Sequence, residues 1–388
     1  MQSERQTGSA PGHRIQFIDL LRGWAVIVMI ETHVFNASLS SGITDGDPFQ
    51  ILKFINGLVA PAFLFASGLA YAVTTHRKIA DYLSFGPKLF RHLGRLLFII
   101  VVGYVMHLPK FSLRHLLTLT EAWQWDLVYQ VDILQCIGVS LLIMQMLLLV
   151  LRSEKRLYIA LGVLTGLLLA ITPFAWAVDS WAILLPPIAE YVNGMHHSQF
   201  PLFPWSAFLF AGSITGYWYI RAGRTKPDTT VSLVLTGTAA VLIVSAVVLE
   251  PIASWVYPVY DYWRFSPTFV FLRLGLVFVL TAGMSFYEKH VGVGASSPVT
   301  LIGRQSLLVY VAHLFLIYGD FGVYSFQRDV GNTFGYLQAL AVTAALLLLM
   351  YLLAAVWEYV RARGPRFTRR VQLVALAILV TLFLFTPA

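Results

Sequence analysis

Apolar residues are not scattered along this chain but gathered into windows of about 20 residues, the length that crosses a bilayer as a helix. Eleven such windows fall at roughly 17–38, 50–75, 90–107, 131–151, 156–178, 201–220, 229–249, 265–287, 298–319, 335–360 and 371–386. None alternates apolar and polar positions with period two, so barrel strands are excluded. The pattern predicts an all-α, polytopic integral membrane protein with about eleven transmembrane helices. No linker, low-complexity tract or internal repeat interrupts it, so the expected organisation is a polar tail over 1–14 and a single membrane domain over 15–388.

Composition agrees with the pattern: of 388 residues 58% are hydrophobic and 12% charged, and mean hydropathy is +0.72, values foreign to a soluble domain. The net charge of +8 orients the chain and is no nucleic-acid signal. With the N-terminus inside, 19 of the 27 Lys and Arg residues fall in cytoplasmic segments, five in external ones and three within spans. That split predicts a cytoplasmic tail and an external C-terminus. A cleaved signal peptide is disfavoured, because Asp19, Arg22, Glu31 and His33 interrupt the first window. Cys136 is the one cysteine, which excludes an intrachain disulfide or a cysteine metal cluster; no metal is expected.

The first window carries the most informative pair. Arg22 and His33 are eleven residues apart, roughly three turns plus about 20°, and so share one helix face about 16 Å apart along the axis. Asn36 falls on the same stripe. Ionisable groups inside a bilayer are costly unless they face a polar interior, which makes the stripe a candidate working site. An imidazole in that position suits general-base or nucleophilic work.

Two other windows supply facing groups. In the second, Asn56 precedes Pro61, a proline expected to kink the span and line a cavity. In the ninth, Ser306, Tyr310 and His313 follow at i, i+4 and i+7 on one face, with Arg304 at the expected cytoplasmic entrance. Two helices thus each offer an arginine low and a histidine high. Glu31 and Arg273 are expected to form a structural ion pair between the first and eighth spans, or at least to leave a buried carboxylate near that arginine. Gly162-x-x-x-Gly166 and Gly212-x-x-x-Gly216 predict close helix packing. Lys88, Arg91 and Arg95 recur at helical spacing on the cytoplasmic side, where they either follow the positive-inside rule or meet phosphates. The stretches 109–130 and 179–200 are polar and aromatic, as external interfacial segments are.

Taken together, Arg14-x4-Asp19-x2-Arg22-Gly23 followed by His33, Asn56-Gly57-x3-Pro61-x6-Gly68, Pro201-x2-Phe203-Pro204-Trp205 with Gly212, and Gly303-Arg304-x-Ser306-Leu307-x2-Tyr310-x2-His313 resemble the bacterial relatives of heparan-α-glucosaminide N-acetyltransferase. These belong to a wider superfamily of transmembrane acyltransferases. The resemblance spans nearly the whole chain. It implies a bacterial inner-membrane enzyme that takes acetyl-CoA from the cytoplasm and delivers acetyl to an amine or hydroxyl of an external carbohydrate or glycolipid. On this likeness Arg22 and His33 are the active-site pair. Arg22, Arg304, Ser306, Tyr310 and the cluster Lys88, Arg91 and Arg95 serve the donor, and Asn36 and Trp205 meet the acceptor. His33 is the expected base, with Asn56 or His313 donating to the tetrahedral oxyanion. Animal lysosomal members carry an asparagine at the place of His33 and a histidine in the following external loop; residues 39–53 here contain none. The competing readings are a transporter or flippase conducting a proton or lipid-linked sugar, and a scaffold with a buried polar network, which would leave His33 and His313 far apart.

Overall fold

The computed structural model describes residues 15–222, 228–257, 259–294, 297–319 and 326–386. The expected tail over 1–14, with Arg14 of the motif, and the loop cations Arg224 and Lys226 lie outside them. The described residues form helices and contain no strand, only an isolated bridge between Leu39 and Phe334. The main helices are α1 (Gln16–Ser38), α2 (Asp47–Asn56), α3 (Val59–Leu83), α4 (Pro87–Met106), α5 (Ile133–Leu151), α6 (Glu154–Trp176), α7 (Leu202–Ala222), α8 (Asp228–Val256), α9 (Pro267–His290), α10 (Pro298–Arg304), α11 (Ser306–Tyr318), α12 (Tyr336–Ala362) and α13 (Pro365–Phe385).

Every apolar window folds as helix. Eight helical segments among the described residues are long and apolar enough to cross a membrane, and nine if the bent pair α10–α11 counts as one span. The other two of the expected eleven, α1 and α7, run for 23 and 21 residues. Their polar side chains, Asp19, Arg22 and Glu31 in α1 above all, keep them below the same apolar standard. Those polar residues are what a helix at the centre of a bundle carries: α1 packs against α3, α9, α10, α11 and α12. Its first backbone N–H groups, which an isolated helix leaves unsatisfied, donate from Gln16 and Phe17 to the Glu288 carboxylate at 2.9 Å each.

Small residues set the closest crossings. A Cβ on Gly23 would strike the carbonyl of Val299, and one on Gly303 the carbonyl of Asp19, so α1 and α10 meet backbone to backbone. Gly68 and Gly212 play the same part between α3 and α7, Gly68 against Leu209 and Gly212 against Phe65. Gly216 faces Leu69 and Ala72, as its spacing predicted, whereas Gly162 and Gly166 have nothing within 4 Å of an added Cβ. The first motif therefore makes no close crossing in this bundle, because α6 turns that face outward.

Two windows are broken. Gly57 and Leu58 separate α2 from α3, which places Pro61 in the first turn of α3. There its missing N–H removes no helix hydrogen bond, so the expected mid-span kink is replaced by a break three to four residues upstream. The ninth window bends by 89° between α10 and α11, at Gln305 (φ −105°, ψ 22°). At the far end, no residue of α13 from Pro365 to Phe385 is buried, and Ser112 ties its end down by donating to the Thr386 carbonyl at 2.7 Å.

Enlarging Gly303 tests the central crossing. Gly303→Val forces apart two backbones and is expected to cost about 1–3 kcal/mol or more, whereas Gly162→Ala, in open space, stays within about 0.5 kcal/mol of wild type or stabilises slightly. Thermal unfolding of the detergent-solubilised protein, followed by size-exclusion, separates the two.

Candidate active site

A cavity of about 730 Å³ opens among the helix ends beyond His33. From α1 come Met29, Thr32, His33 and Asn36; from the α2–α3 break, Asn56 and Gly57; from the end of α4, His107. Asp132 stands at the entry of α5, Phe200 and Trp205 at the entry of α7, and Tyr310, Phe315 and Tyr318 on α11. The segments leading into α5 and α7 knit this end together: Gln199 and Phe200 both donate backbone N–H groups to the Val131 carbonyl at 3.1 Å, and the Val131 N–H donates to Ser198 Oγ at 2.8 Å. Lys110 and Phe111, also on the wall, hold left-handed backbone at φ 51° and 44°, a conformation that costs energy outside glycine and clusters at functional sites.

Five of the residues singled out from sequence line this cavity: His33, Asn36, Asn56, Trp205 and Tyr310. His313 lies directly behind its surface, fully buried, with its ring centroid 5.4 Å from that of His33. The scaffold reading placed these two histidines far apart, and their contact removes it. Ser306, Tyr310 and His313 share the buried face of α11, as their spacing predicted.

The hydrogen bonds around the two rings assign their tautomers. His313 Nδ1 lies 2.8 Å from the Val309 carbonyl; a carbonyl only accepts, so Nδ1 carries the hydrogen and the neutral ring presents Nε2 as an acceptor. That Nε2 is buried without a partner. The neutral ring therefore has no donor for an oxyanion, contrary to one role expected of it. His33 Nδ1 is 3.2 Å from the Tyr318 hydroxyl, which itself donates to the His33 carbonyl at 3.2 Å. With that single hydrogen spent, His33 Nδ1 donates to the hydroxyl and Nε2 is left as the basic atom. Tyr318 has no helical-spacing relation to His33 and was missed in the sequence.

The remaining candidates lie away from the cavity. Arg22 is half-buried and donates to Ser306 Oγ at 2.8 Å, with its guanidinium 5.9 Å from the Phe63 ring centroid. Arg304 pairs with Glu358 of α12 at 3.0 Å. Lys88 pairs with Asp81 at 2.8 Å, Arg91 donates to the Pro87 carbonyl at 3.2 Å, and with Arg95 they occupy the end of α4 opposite His107.

The expected Glu31–Arg273 ion pair does not form. Arg273 donates to the Phe54 carbonyl at 2.5 Å and lies among the rings of Phe54, Phe269 and Trp263, at 4.4, 5.4 and 5.9 Å from their centroids. The break after Asn56 frees helix-terminal carbonyls, and the guanidinium satisfies one of them, a competing acceptor that depth along the spans could not reveal. Glu31 Oε1 and Asn56 Oδ1 are both left buried without a hydrogen-bond partner.

Long apolar helices around a histidine-bearing cavity are the framework of an integral membrane protein with a candidate enzyme site. Residues 14–249 match the family model for heparan-α-glucosaminide N-acetyltransferase, catalytic. The chain belongs to that family of membrane acetyltransferases. The matched stretch contains His33, Asn56, Asp132 and Trp205; Tyr310, His313 and Tyr318 come from beyond it. No curated protein matches the chain.

A double-mutant cycle tests the rearranged charges. Arg273→Met leaves the Phe54 carbonyl unsatisfied and is expected to cost about 1–3 kcal/mol; combined with Glu31→Gln, the coupling between the sites stays under about 0.5 kcal/mol, whereas a true ion pair couples more strongly. Unfolding midpoints of the four proteins measure it.

Proposed function

We propose that the protein transfers acetyl from acetyl-CoA to an amine or hydroxyl of a carbohydrate or glycolipid, with His33 as general base, within one membrane domain over residues 15–388. The observation that carries this reading is the meeting of His33 and His313, from helices 280 positions apart in the chain (313 − 33), at the wall of a cavity, in a member of an acetyltransferase family. His33 Nε2 takes the proton as the acceptor atom attacks the thioester carbonyl. The Asn56 amide donates to the developing oxyanion. The carbon–sulfur bond then breaks, and the thiolate leaves with the proton that His33 accepted. Tyr318 holds the His33 ring in the tautomer the step needs. Asn36 and Trp205 meet the acceptor.

On this reading the donor comes from the cytoplasmic side. Arg22 and Ser306, joined about 16 Å from His33 along α1, contact its polar arm together with Tyr310. Lys88, Arg91 and Arg95 meet its phosphates, and Arg304 joins them on release from Glu358. The charge asymmetry of the loops supports a cytoplasmic N-terminus and an external C-terminus, and the resemblance supports a bacterial inner membrane. Family membership favours acyl transfer over a transporter or flippase.

His33→Ala is expected to lower transfer of radiolabelled acetyl from acetyl-CoA to glucosamine by about 10²–10⁴-fold, with acetyl-CoA binding by the purified protein unchanged. Wild-type rates in this variant overturn His33 as base; failure of the native protein to bind acetyl-CoA overturns the enzyme reading in favour of a transporter.

A further inference from the structure

The cavity wall also carries a carboxylate, Asp132, that the mechanism above does not use. Asp132 caps α5, its Oδ1 accepting from the Ile133 N–H at 2.7 Å. A cap needs only one oxygen. The second, Oδ2, accepts the Tyr310 hydroxyl at 2.9 Å and faces His107 Nε2 at 3.8 Å, too far for a hydrogen bond. His107 Nε2 is buried and has no hydrogen-bond partner, and both residues line the cavity. Each carboxylate oxygen has a further lone pair to offer. A carboxylate and an orphaned ring nitrogen separated by that gap suit one polar group inserted between them. A purely structural cap would leave His107 without purpose, since buried polar atoms normally have partners.

The position of this pair matters because Asp132 is not independent of the histidines. Tyr310 bonds to it, the Tyr310 ring lies 5.7 Å from the His313 ring, and His313 touches His33. A molecule held at Asp132 is therefore referenced to the base through packed side chains. Trp205 and Phe200, stacked edge to face at 4.8 Å on the same cavity, offer apolar faces to a ring held between the two.

We propose that Asp132 and His107 form an anchoring subsite for a non-reacting hydroxyl or amino group of the sugar acceptor, so that Asp132 selects which acceptor presents its reacting atom to His33. The proposal rests on the acyl-transfer reading for the identity of the acceptor. Asp132 accepts a hydrogen bond from the anchored group, and His107 Nε2 completes its hydrogen bonding. No bond is made or broken there.

Substrate and protein changes combined test it. Methyl glucosaminide and its 3-deoxy, 4-deoxy and 6-deoxy analogues are compared as acetyl acceptors and, separately, as ligands by calorimetric titration, with the native protein and with Asp132→Asn. Asparagine still caps a helix, and Asp132→Ser is the second capping variant should the first fold poorly. The native protein is expected to lose about 10–100-fold in kcat/KM with one deoxy analogue, the range for a hydrogen bond to a charged group. Asp132→Asn is expected to lose that discrimination to within about threefold, and Tyr310→Phe, which keeps the carboxylate, to retain it. Equal discrimination in Asp132→Asn and native protein overturns the proposal, as does native protein that binds all four sugars equally or none. Asp132-dependent discrimination in binding without acetyl transfer upholds the subsite and overturns the acyl-transfer reading instead.

Discussion

The contact on which the rest of this bundle depends is the one between two backbones, where Gly23 of α1 faces Val299 and Gly303 of α10 faces Asp19. Lipid gives helices no hydrophobic reason to prefer each other, so close approach at small residues and interhelical hydrogen bonds carry the association. Here the approach brings α10 against the lower half of α1, and Arg22 seals the junction by reaching Ser306 one residue beyond the bend. From that fixed point α11 departs at 89° to α10, and this turn carries His313 to His33. Two glycines thus determine a contact between imidazoles two to three turns away.

A second irregularity completes the cavity. In an apolar medium, broken helices survive only where the freed backbone groups are satisfied or line a polar space. The α2–α3 break meets both conditions: Arg273 takes the Phe54 carbonyl, and Asn56 and Gly57 form part of the wall. Gly57 leaves room for the same interaction, since a Cβ there would lie 2.7 Å from Arg273 Nη2 and push the guanidinium aside. The cation that looked like half of a salt bridge is a device for ending a helix next to the site.

What the chain discloses by itself follows from what a helix repeats. The apolar windows, the shared face of Ser306, Tyr310 and His313, and the spacing of Gly212 and Gly216 in α7 are periodic signals, and each has its counterpart in the structure. Asp132, His107 and Tyr318 are not periodic. Asp132 and His107 sit just outside helix ends, where a carboxylate looks like a cap and a histidine like loop polarity, and Tyr318 closes α11 where aromatic residues commonly meet a membrane surface. The bend at Gln305 carries no proline. Depth along the spans, on which the Glu31–Arg273 expectation rested, carries no sign that a backbone carbonyl meets the guanidinium in place of the carboxylate.

The tautomers bear on the economy of the proposed reaction. Both histidines spend their Nδ1 hydrogens on oxygen acceptors, a carbonyl for His313 and a hydroxyl for His33, so the pair presents two lone pairs and no spare donor. An acyl transfer that moved a proton from His313 to the leaving sulfur would need a hydrogen on Nε2, which the neutral ring, with its hydrogen on Nδ1, does not carry. One proton travelling from the acceptor to His33 and on to the thiolate avoids this, and the ring is charged only while the oxyanion beside it is negative. His313 keeps its Nε2 buried and without a partner, its ring centroid 5.4 Å from that of His33. In the proposed reaction the moving proton belongs to α1, and the angle set at Gln305 decides which ring of α11 stands beside it.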